Sequence, residues 1–162
     1  MMNTGYLANG LFSLGDRLVN EIIAKEVRQA LPGVDLYVPQ ENGAINDKSA
    51  YADSAQIASA DMDALMASDF LIAVIDGVEI DSGVAAEIGA FATLKRPIFA
   101  LLTDSRQQGR DNVKKIDALK QDATENQFIY RNLFVVGLIK QHGMIASSVE
   151  ELVAALSKKD SP

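Results

Sequence analysis

The chain alternates between short apolar runs and longer segments in which apolar residues recur with a helical period. Residues 70–75 are apolar without interruption, a pattern typical of a strand that is covered on both faces, as in a parallel sheet. Shorter apolar runs predict further strands at residues 5–8, 34–39 and 97–102. The helical period predicts helices over residues 13–31, 54–67, 84–94 and 149–156.

Strands that alternate with helices imply βαβ units with right-handed crossovers. The predicted fold is a three-layer, doubly wound α/β domain of the flavodoxin or Rossmann type. Its mostly parallel sheet has four or five strands, in an order that the pattern leaves open. A length of 162 residues suits one such domain, so residues 1–162 are predicted to form a single unit. Residues 40–52 are polar without a period and predict an exposed loop, whereas residues 132–139 are apolar again.

Composition narrows the partners that this chain can have. A net charge of −7 argues against nucleic acid, because phosphate neutralisation needs clustered Lys and Arg, although a small nucleoside stays possible. The absence of cysteine excludes disulfides and thiolate chemistry. No segment approaches the roughly 20 apolar residues that cross a bilayer. Residues 1–15 lack the features of a signal peptide, so a soluble cytoplasmic protein with no membrane partner is expected.

Two carboxylates, Asp81 and Glu87, lie six residues apart where a loop leads into a helix. Glu87 follows Val84 by three residues and precedes Phe91 by four, which puts it on or beside the apolar face. An ionised carboxylate among apolar neighbours is costly unless it has partners, so it is usually paired or used in chemistry. Asp81 by itself is most simply a helix N-cap.

A third acid, Asp61, lies four residues from both Ile57 and Leu65 on the inner stripe of its helix, while Asp63 is rotated away from that stripe. The alternative interpretation of Asp61 is a buried cap or an ion-pair partner. Several inward acids near one end of a sheet raise each other's pKa values, which is one way to obtain a general acid near neutral pH.

Other chemistries have weaker support in the sequence. The single histidine, His142, lies in a polar turn and is expected at the surface, and no Gly-x-Ser-x-Gly motif accompanies it. There is no P-loop, and the opening turn does not match Gly-x-Gly-x-x-Gly. Carboxylates alone could hold Mg²⁺, but no strand-end Asp-x-Asp supports this. Neither a metal nor a cofactor is predicted.

Residues 81–89, Asp-Ser-Gly-Val-Ala-Ala-Glu-Ile-Gly, are close to the signature Asp-x-Gly-x-x-x-Glu-x-Gly of the nucleoside 2-deoxyribosyltransferase family. The opening residues 6–12, Tyr-Leu-Ala-Asn-Gly-Leu-Phe, look like that family's first strand and turn. Asp61 and Asn132 complete an ordered set of residues through which the chain resembles the family over roughly residues 6–137. The Asn-Gly of the opening turn replaces the more usual Gly-Pro, which bears on base preference.

The resemblance implies a retaining double displacement on a 2′-deoxynucleoside. Glu87 would attack C1′ and form a covalent deoxyribosyl ester, while Tyr6 would orient Glu87 through its hydroxyl. Asp61 would exchange a proton with the leaving and the incoming nucleobase. The small-molecule partners implied are a deoxynucleoside and a free nucleobase, and the sequence leaves open whether purines or pyrimidines are preferred.

The resemblance also implies a set of substrate-binding residues: Asp81, Asn132, Gly10, Phe12 and Phe134. Asp81 would bind a sugar hydroxyl, and Asn132 would do so from a neighbouring subunit. Such sharing requires a homo-oligomer, a dimer or a higher assembly, and the apolar residues 133–139 would suit its interface. Phe12 and Phe134 could pack against the base; the alternative is that they are core aromatics.

Two other functions are compatible with the same scaffold. A hydrolase would use Glu87 and water to cleave a (deoxy)nucleoside 5′-monophosphate. Asp81 disfavours that substrate, because a carboxylate repels a phosphate dianion, and Asn132 favours a free 5′-hydroxyl. The second alternative is a non-catalytic nucleotide-sensing domain, since a fold does not determine a function.

Overall fold

The computed structural model describes residues 2–47, 49 and 51–160. Within that part of the chain, five strands form one entirely parallel sheet. In chain order they are β1 Thr4–Ala8, β2 Asp35–Tyr37, β3 Phe70–Val74, β4 Ile98–Leu101 and β5 Met144–Ala146. The order across the sheet is β2-β1-β3-β4-β5. This is the doubly wound arrangement, in which successive strands are added on one side of β1 and then, from β3 onward, on the other side.

Seven α-helices connect or follow these strands in the described residues. They are α1 Leu14–Ala30, α2 Gly43–Asn46, α3 Ser54–Ala67, α4 Ser82–Ala92, α5 Val113–Gln121, α6 Leu133–His142 and α7 Val149–Asp160. Short 3₁₀ turns occur at Pro39–Glu41, Ser105–Gln107 and Ala123–Glu125. None of the helices described is both long and apolar enough to cross a membrane.

The sheet separates two hydrophobic cores. α1 and α7 cover one face, and α3, α4 and α6 cover the other. Alternate residues of β3 contribute to each core: Ile72 packs with α1 and α7, whereas Leu71 packs with α4. Burial on both faces explains why residues 70–75 are apolar without a period of two, and it confirms the three-layer α/β prediction.

Local signals determine the ends of the helices that lead to the site. Ser13 and Asp16 form a reciprocal capping box at the start of α1, and Asp53 and Gln56 form another at the start of α3. The side chain of Asp81 accepts hydrogen bonds from the first amides of α4, as the N-cap interpretation predicted.

Several predictions from the pattern need correction. The strand expected at residues 34–39 is confined to Asp35–Tyr37, and the loop expected at 40–52 includes α2; residues 48 and 50 lie outside the described part. The apolar residues 132–139 belong mainly to α6. The pattern did not reveal β5, because three residues are too few to establish a period. Ile57 is 37% exposed, so the predicted inner stripe of α3 is wrong at its first turn.

Candidate active site

Tyr6 and Glu87 form the centre of the candidate site. Tyr6 lies on β1 with its side chain fully buried, and its hydroxyl donates a hydrogen bond of 2.5 Å to Oε1 of Glu87. Glu87 lies in the second turn of α4, where it is partly buried beside the apolar face made by Val84, Ile88 and Phe91. The carboxylate therefore stands at the edge of the core with one directed hydrogen-bond donor.

The surroundings of Glu87 favour its neutral form. Burial raises the pKa of its carboxyl to about 7, and the negative charges of Asp61 and Asp81 act in the same direction. The hydrogen bond from Tyr6 opposes them by stabilising the carboxylate. Burial and Glu87 together raise the pKa of Tyr6, so its hydroxyl keeps its proton and remains a donor. The result is a carboxylic acid that ionises in the physiological range.

Asp61 is held by a second tyrosine. The hydroxyl of Tyr37, the last residue of β2, donates to Oδ1 of Asp61 at 3.0 Å, and it accepts from Nδ2 of Asn42 at 2.9 Å. Burial raises the pKa of the partly buried Asp61, and the hydrogen bond from Tyr37 lowers it. The rings of Tyr6 and Tyr37 are stacked with centroids 5.3 Å apart, so the two tyrosine–carboxylate pairs are in contact.

Asp81 is an exposed N-cap that also belongs to the electrostatic environment of Glu87. Its Oδ1 accepts from the amides of Gly83 at 2.8 Å and of Val84 at 3.1 Å. Its charge contributes to the raised pKa of Glu87, which lies one and a half turns further along the helix. The structural and the electrostatic role therefore occur together in one side chain.

Asn132 lies at the start of α6 as its N-cap. Its Oδ1 caps α6 through the amides of Phe134 and Val135, and its side chain is exposed. It lines a groove of about 580 Å³ with the loop between β3 and α4, and this groove does not include Glu87. Asn132 is thus an exposed residue that caps α6 and borders this groove.

The aromatic residues predicted to contact a base are not part of the core. Phe12 and Phe134 are each 74% exposed, so the alternative interpretation as core aromatics is wrong. Gly10 lies in the turn after β1, and its carbonyl accepts from the buried Asn20 at 3.0 Å. His142, the last residue of α6, is half-buried rather than fully exposed.

Three residues of this region were missed by the sequence analysis: Tyr37, Asn42 and Arg131. Tyr37 pairs with Tyr6 in the register of β1 and β2, a neighbourhood that a known strand order would have predicted. Arg131 donates to the carbonyls of Ile75 at 2.8 Å and Gly77 at 2.9 Å, which ties the loop before α4 to the start of α6. No local signal marks these carbonyl partners.

The described residues contain no group of three or more His, Cys, Asp or Glu side chains arranged to hold a metal ion. The site itself presents two half-buried carboxyls with raised pKa values, each hydrogen-bonded to a tyrosine. One carboxyl that ionises as a nucleophile and another that exchanges a proton form a combination suited to cleaving a glycosidic bond.

Comparison with known proteins provides independent information. A family model for nucleoside 2-deoxyribosyltransferase matches residues 6–147. A solved structure of a conserved protein from Enterococcus faecalis is 51% identical with a TM-score of 0.91, over 98% of this chain and 99% of that chain. No curated protein sequence matches the chain significantly.

Two more distant structures share the fold. A 2-desoxiribosyltransferase from Leishmania mexicana is 19% identical with a TM-score of 0.66, over 98% of this chain and 99% of that one. The CMP N-glycosidase BcmB from Clostridium botulinum is 18% identical with a TM-score of 0.51, over 96% of this chain and 98% of that one. At this level of identity the likeness concerns the scaffold, which carries both a transferase and a hydrolase.

Proposed function

The chain belongs to the nucleoside 2-deoxyribosyltransferase family, and on that premise we propose that it exchanges the nucleobase of a 2′-deoxynucleoside through a covalent intermediate on Glu87. The observation that carries the proposal is the 2.5 Å hydrogen bond from Tyr6 to Glu87, formed beside the Tyr37–Asp61 pair. Such an exchange requires no cofactor and would serve nucleotide salvage in the cytoplasm.

In the first half-reaction, a carboxylate oxygen of Glu87 attacks C1′ as the glycosidic bond breaks and its electron pair passes to the base. Tyr6 donates its hydrogen bond to Oε1 of Glu87 and so orients Oε2. Burial leaves the carboxylate of Glu87 poorly solvated and raises its pKa to about 7. Part of Glu87 is therefore ionised at neutral pH. A poorly solvated carboxylate is the more reactive nucleophile, and a pKa of about 7 keeps enough of it ionised at neutral pH.

Asp61 provides the proton that the departing base requires. Burial raises the pKa of Asp61, which favours the protonated form that a general acid must have. In the second half-reaction, a nitrogen of the incoming base attacks C1′, the ester to Glu87 breaks, and Asp61 takes the proton that the base loses. Two inversions at C1′ give overall retention.

Substrate contacts complete the proposal. Asp81 and a neighbouring subunit's copy of Asn132 bind sugar hydroxyls, while Gly10, Phe12 and Phe134 contact the substrate and the two aromatics pack against the base. Exposure of Phe12 and Phe134 supports this assignment, because both rings are accessible to a ligand. We infer a homo-oligomer with shared sites, to which Asn132, exposed at the start of α6, would contribute from a neighbouring subunit. Leu133, 83% exposed at the start of α6, supplies an apolar surface for the contact.

The main alternative is hydrolysis of a nucleoside 5′-monophosphate, the type of reaction named for the Clostridium botulinum neighbour. Three observations favour a substrate without phosphate. The N-terminus of α1 is capped by Ser13 and Asp16, and that of α4 by Asp81, so carboxylates occupy the positions where phosphate usually binds. Arg131 is committed to backbone carbonyls and does not offer its guanidinium.

The proposal is tested by incubating the purified protein with deoxyinosine and free adenine and separating the products by chromatography. New deoxyadenosine is expected, together with its loss in Glu87→Ala. Glu21→Ala removes an exposed carboxylate from α1 and serves as the matched control, with exchange unchanged.

Other outcomes distinguish the alternatives. Release of hypoxanthine without deoxyadenosine would indicate hydrolysis, and CMP and deoxynucleoside 5′-monophosphates would then be tested as substrates. A lack of turnover with all of these compounds would contradict the enzymatic proposal and favour a nucleotide-sensing domain.

A further inference from the structure

The N-cap of α2 orients the hydrogen bonds around Tyr37. The side-chain oxygen of Asn42 accepts from the amide of Ala44 at 3.1 Å, so its NH₂ group is the end that faces Tyr37. The hydroxyl oxygen of Tyr37 accepts that bond, and its own proton therefore points to Oδ1 of Asp61. Because an amide cannot donate through its oxygen, Asn42 remains the donor to Tyr37 while α2 keeps its N-cap, and the hydroxyl proton of Tyr37 is directed to an ionised Asp61.

This direction distinguishes the two oxygens of Asp61. Oδ1 receives the proton of Tyr37, and a second proton on Oδ1 would be directed against the first. With the Tyr37 proton directed to Oδ1, Oδ2 is the oxygen left to carry the acidic proton of Asp61. If a nucleobase nitrogen exchanges a proton with Asp61, the transfer takes place at Oδ2, with the O–H bond broken on departure of one base and formed again on arrival of the next.

Tyr37 also connects the acid to the nucleophile. Its ring stacks on Tyr6 at 5.3 Å with an interplanar angle of 27°, and Tyr6 holds Glu87. Tyr37 is partly buried between these groups and carries one of the four tyrosine hydroxyls of the chain. A single side chain thus contacts Asp61 through its hydroxyl and the partner of Glu87 through its ring.

We propose that Tyr37, oriented by Asn42, is a positioning residue that assigns proton exchange to Oδ2 of Asp61 and holds this carboxyl in place relative to Glu87. The proposal rests on the proposed base exchange and deepens it. The pKa of Asp61 agrees with this contact, because burial raises it and the hydrogen bond from Tyr37 lowers it.

The test compares two substrates in Tyr37→Phe, which keeps the stacked ring and removes the hydroxyl. A normal deoxynucleoside such as deoxyinosine needs its base protonated, whereas 7-methyl-2′-deoxyguanosine carries a cationic base that leaves without a proton. We expect release of hypoxanthine to fall roughly 10- to 100-fold, a part of the usual contribution of general acid catalysis. Release of 7-methylguanine is expected to change less than about threefold, since its departure does not use Asp61.

Equal losses with both substrates would overturn the proposal, because a general disturbance of Tyr6 and Glu87 does not depend on the leaving group. Tyr51→Phe is the matched control: this tyrosine is 88% exposed, and loss of its hydroxyl is expected to leave both rates unchanged. Asn42→Ala should reproduce the selectivity of Tyr37→Phe in weaker form.

A second measurement needs no turnover. The carboxyl of Asp61 is titrated by ¹³C NMR in the wild type and in Tyr37→Phe. Loss of the hydrogen bond should move its pKa upward, because Tyr37 stabilises the anion. An unchanged or lowered pKa would contradict the assignment of the hydrogen bond. If the wild type releases neither base, the proposed function fails, while this titration still decides whether Tyr37 controls Asp61.

Discussion

The hydroxyl of Tyr6 and the carboxyl of Glu87 meet at 2.5 Å although they are 81 residues apart in the chain. Tyr6 is on β1 and Glu87 is on α4, the helix that follows β3. The strand order reverses between β1 and β3, the place where doubly wound domains bind ligands. The pair thus combines an unusual local environment with the expected location for a site.

Tyr6→Phe should shift the dependence of kcat/KM on pH. In the proposed mechanism Glu87 reacts as the carboxylate, so activity is expected to rise as pH increases through about 7. The hydroxyl of Tyr6 lowers the pKa of Glu87, so its removal should move the rise in kcat/KM to higher pH. The loss of activity should be larger at pH 6 than at pH 8. A uniform loss at both pH values would show that Tyr6 does not act on this ionisation.

Glu87→Gln should abolish exchange and stabilise the fold at high pH. The folded-state pKa of Glu87 is raised from 4.5 to about 7, so the wild type loses stability as pH rises through this interval. The glutamine variant escapes that loss and should gain up to about 3 kcal/mol above pH 7.5. Urea unfolding at pH 4 and pH 8 measures the difference. A constant difference at both pH values would contradict the raised pKa.

Asp81→Ser and Asp81→Ala separate the cap from the substrate contact. Serine is as good an N-cap as aspartate, whereas alanine should cost about 1 kcal/mol of unfolding free energy. If Asp81 also binds the sugar, both variants should raise KM for the deoxynucleoside, and only the alanine variant should lose stability. Thermal unfolding and steady-state kinetics are the two measurements. If KM rises only in the alanine variant, which also loses stability, Asp81 acts only as a capping residue.

Arg131→Met should loosen the loop between β3 and α4. The guanidinium donates to the carbonyls of Ile75 and Gly77, and the variant would leave those acceptors without it, at a cost of about 1–3 kcal/mol. Hydrogen exchange of loop residues 76–81 should quicken. Arg110→Met, at an exposed position, is the control and should change neither stability nor exchange. Equal hydrogen-exchange rates of residues 76–81 in the two variants would contradict a role of Arg131 in holding this loop.

Leu133→Asp should lower the assembly state and the activity together. This side chain is 83% exposed in the subunit, so the substitution should cost little in subunit stability and should disrupt an apolar contact at the start of α6. Sedimentation velocity gives the mass. Val113→Asp introduces the same charge at another exposed apolar residue, on α5, and should leave the mass unchanged. An unchanged mass in Leu133→Asp would exclude this surface as the interface.

Some elements of the site follow from local sequence alone. The cap at Asp81 and the helix that carries Glu87 depend on signals within about a dozen residues, and both predictions are confirmed. The continuous apolarity of residues 70–75 likewise identified a strand covered on both faces. The sequence pattern did not give the bounds of β2 or reveal β5, because a strand of three residues does not display a period.

The sequence by itself therefore determined the α/β class, the helix that carries Glu87 and the family signature around Glu87. Each of these depends on the spacing of residues that are close together in the chain. Only the tertiary structure decided that Tyr37 stacks on Tyr6 and bonds Asp61, and that Arg131 holds the loop before α4. The physical reason is that hydrophobic periodicity selects which face of an element is buried but not which element lies beside it. Strand order and crossover packing make that choice, and in this protein they bring the two tyrosine–carboxylate pairs together.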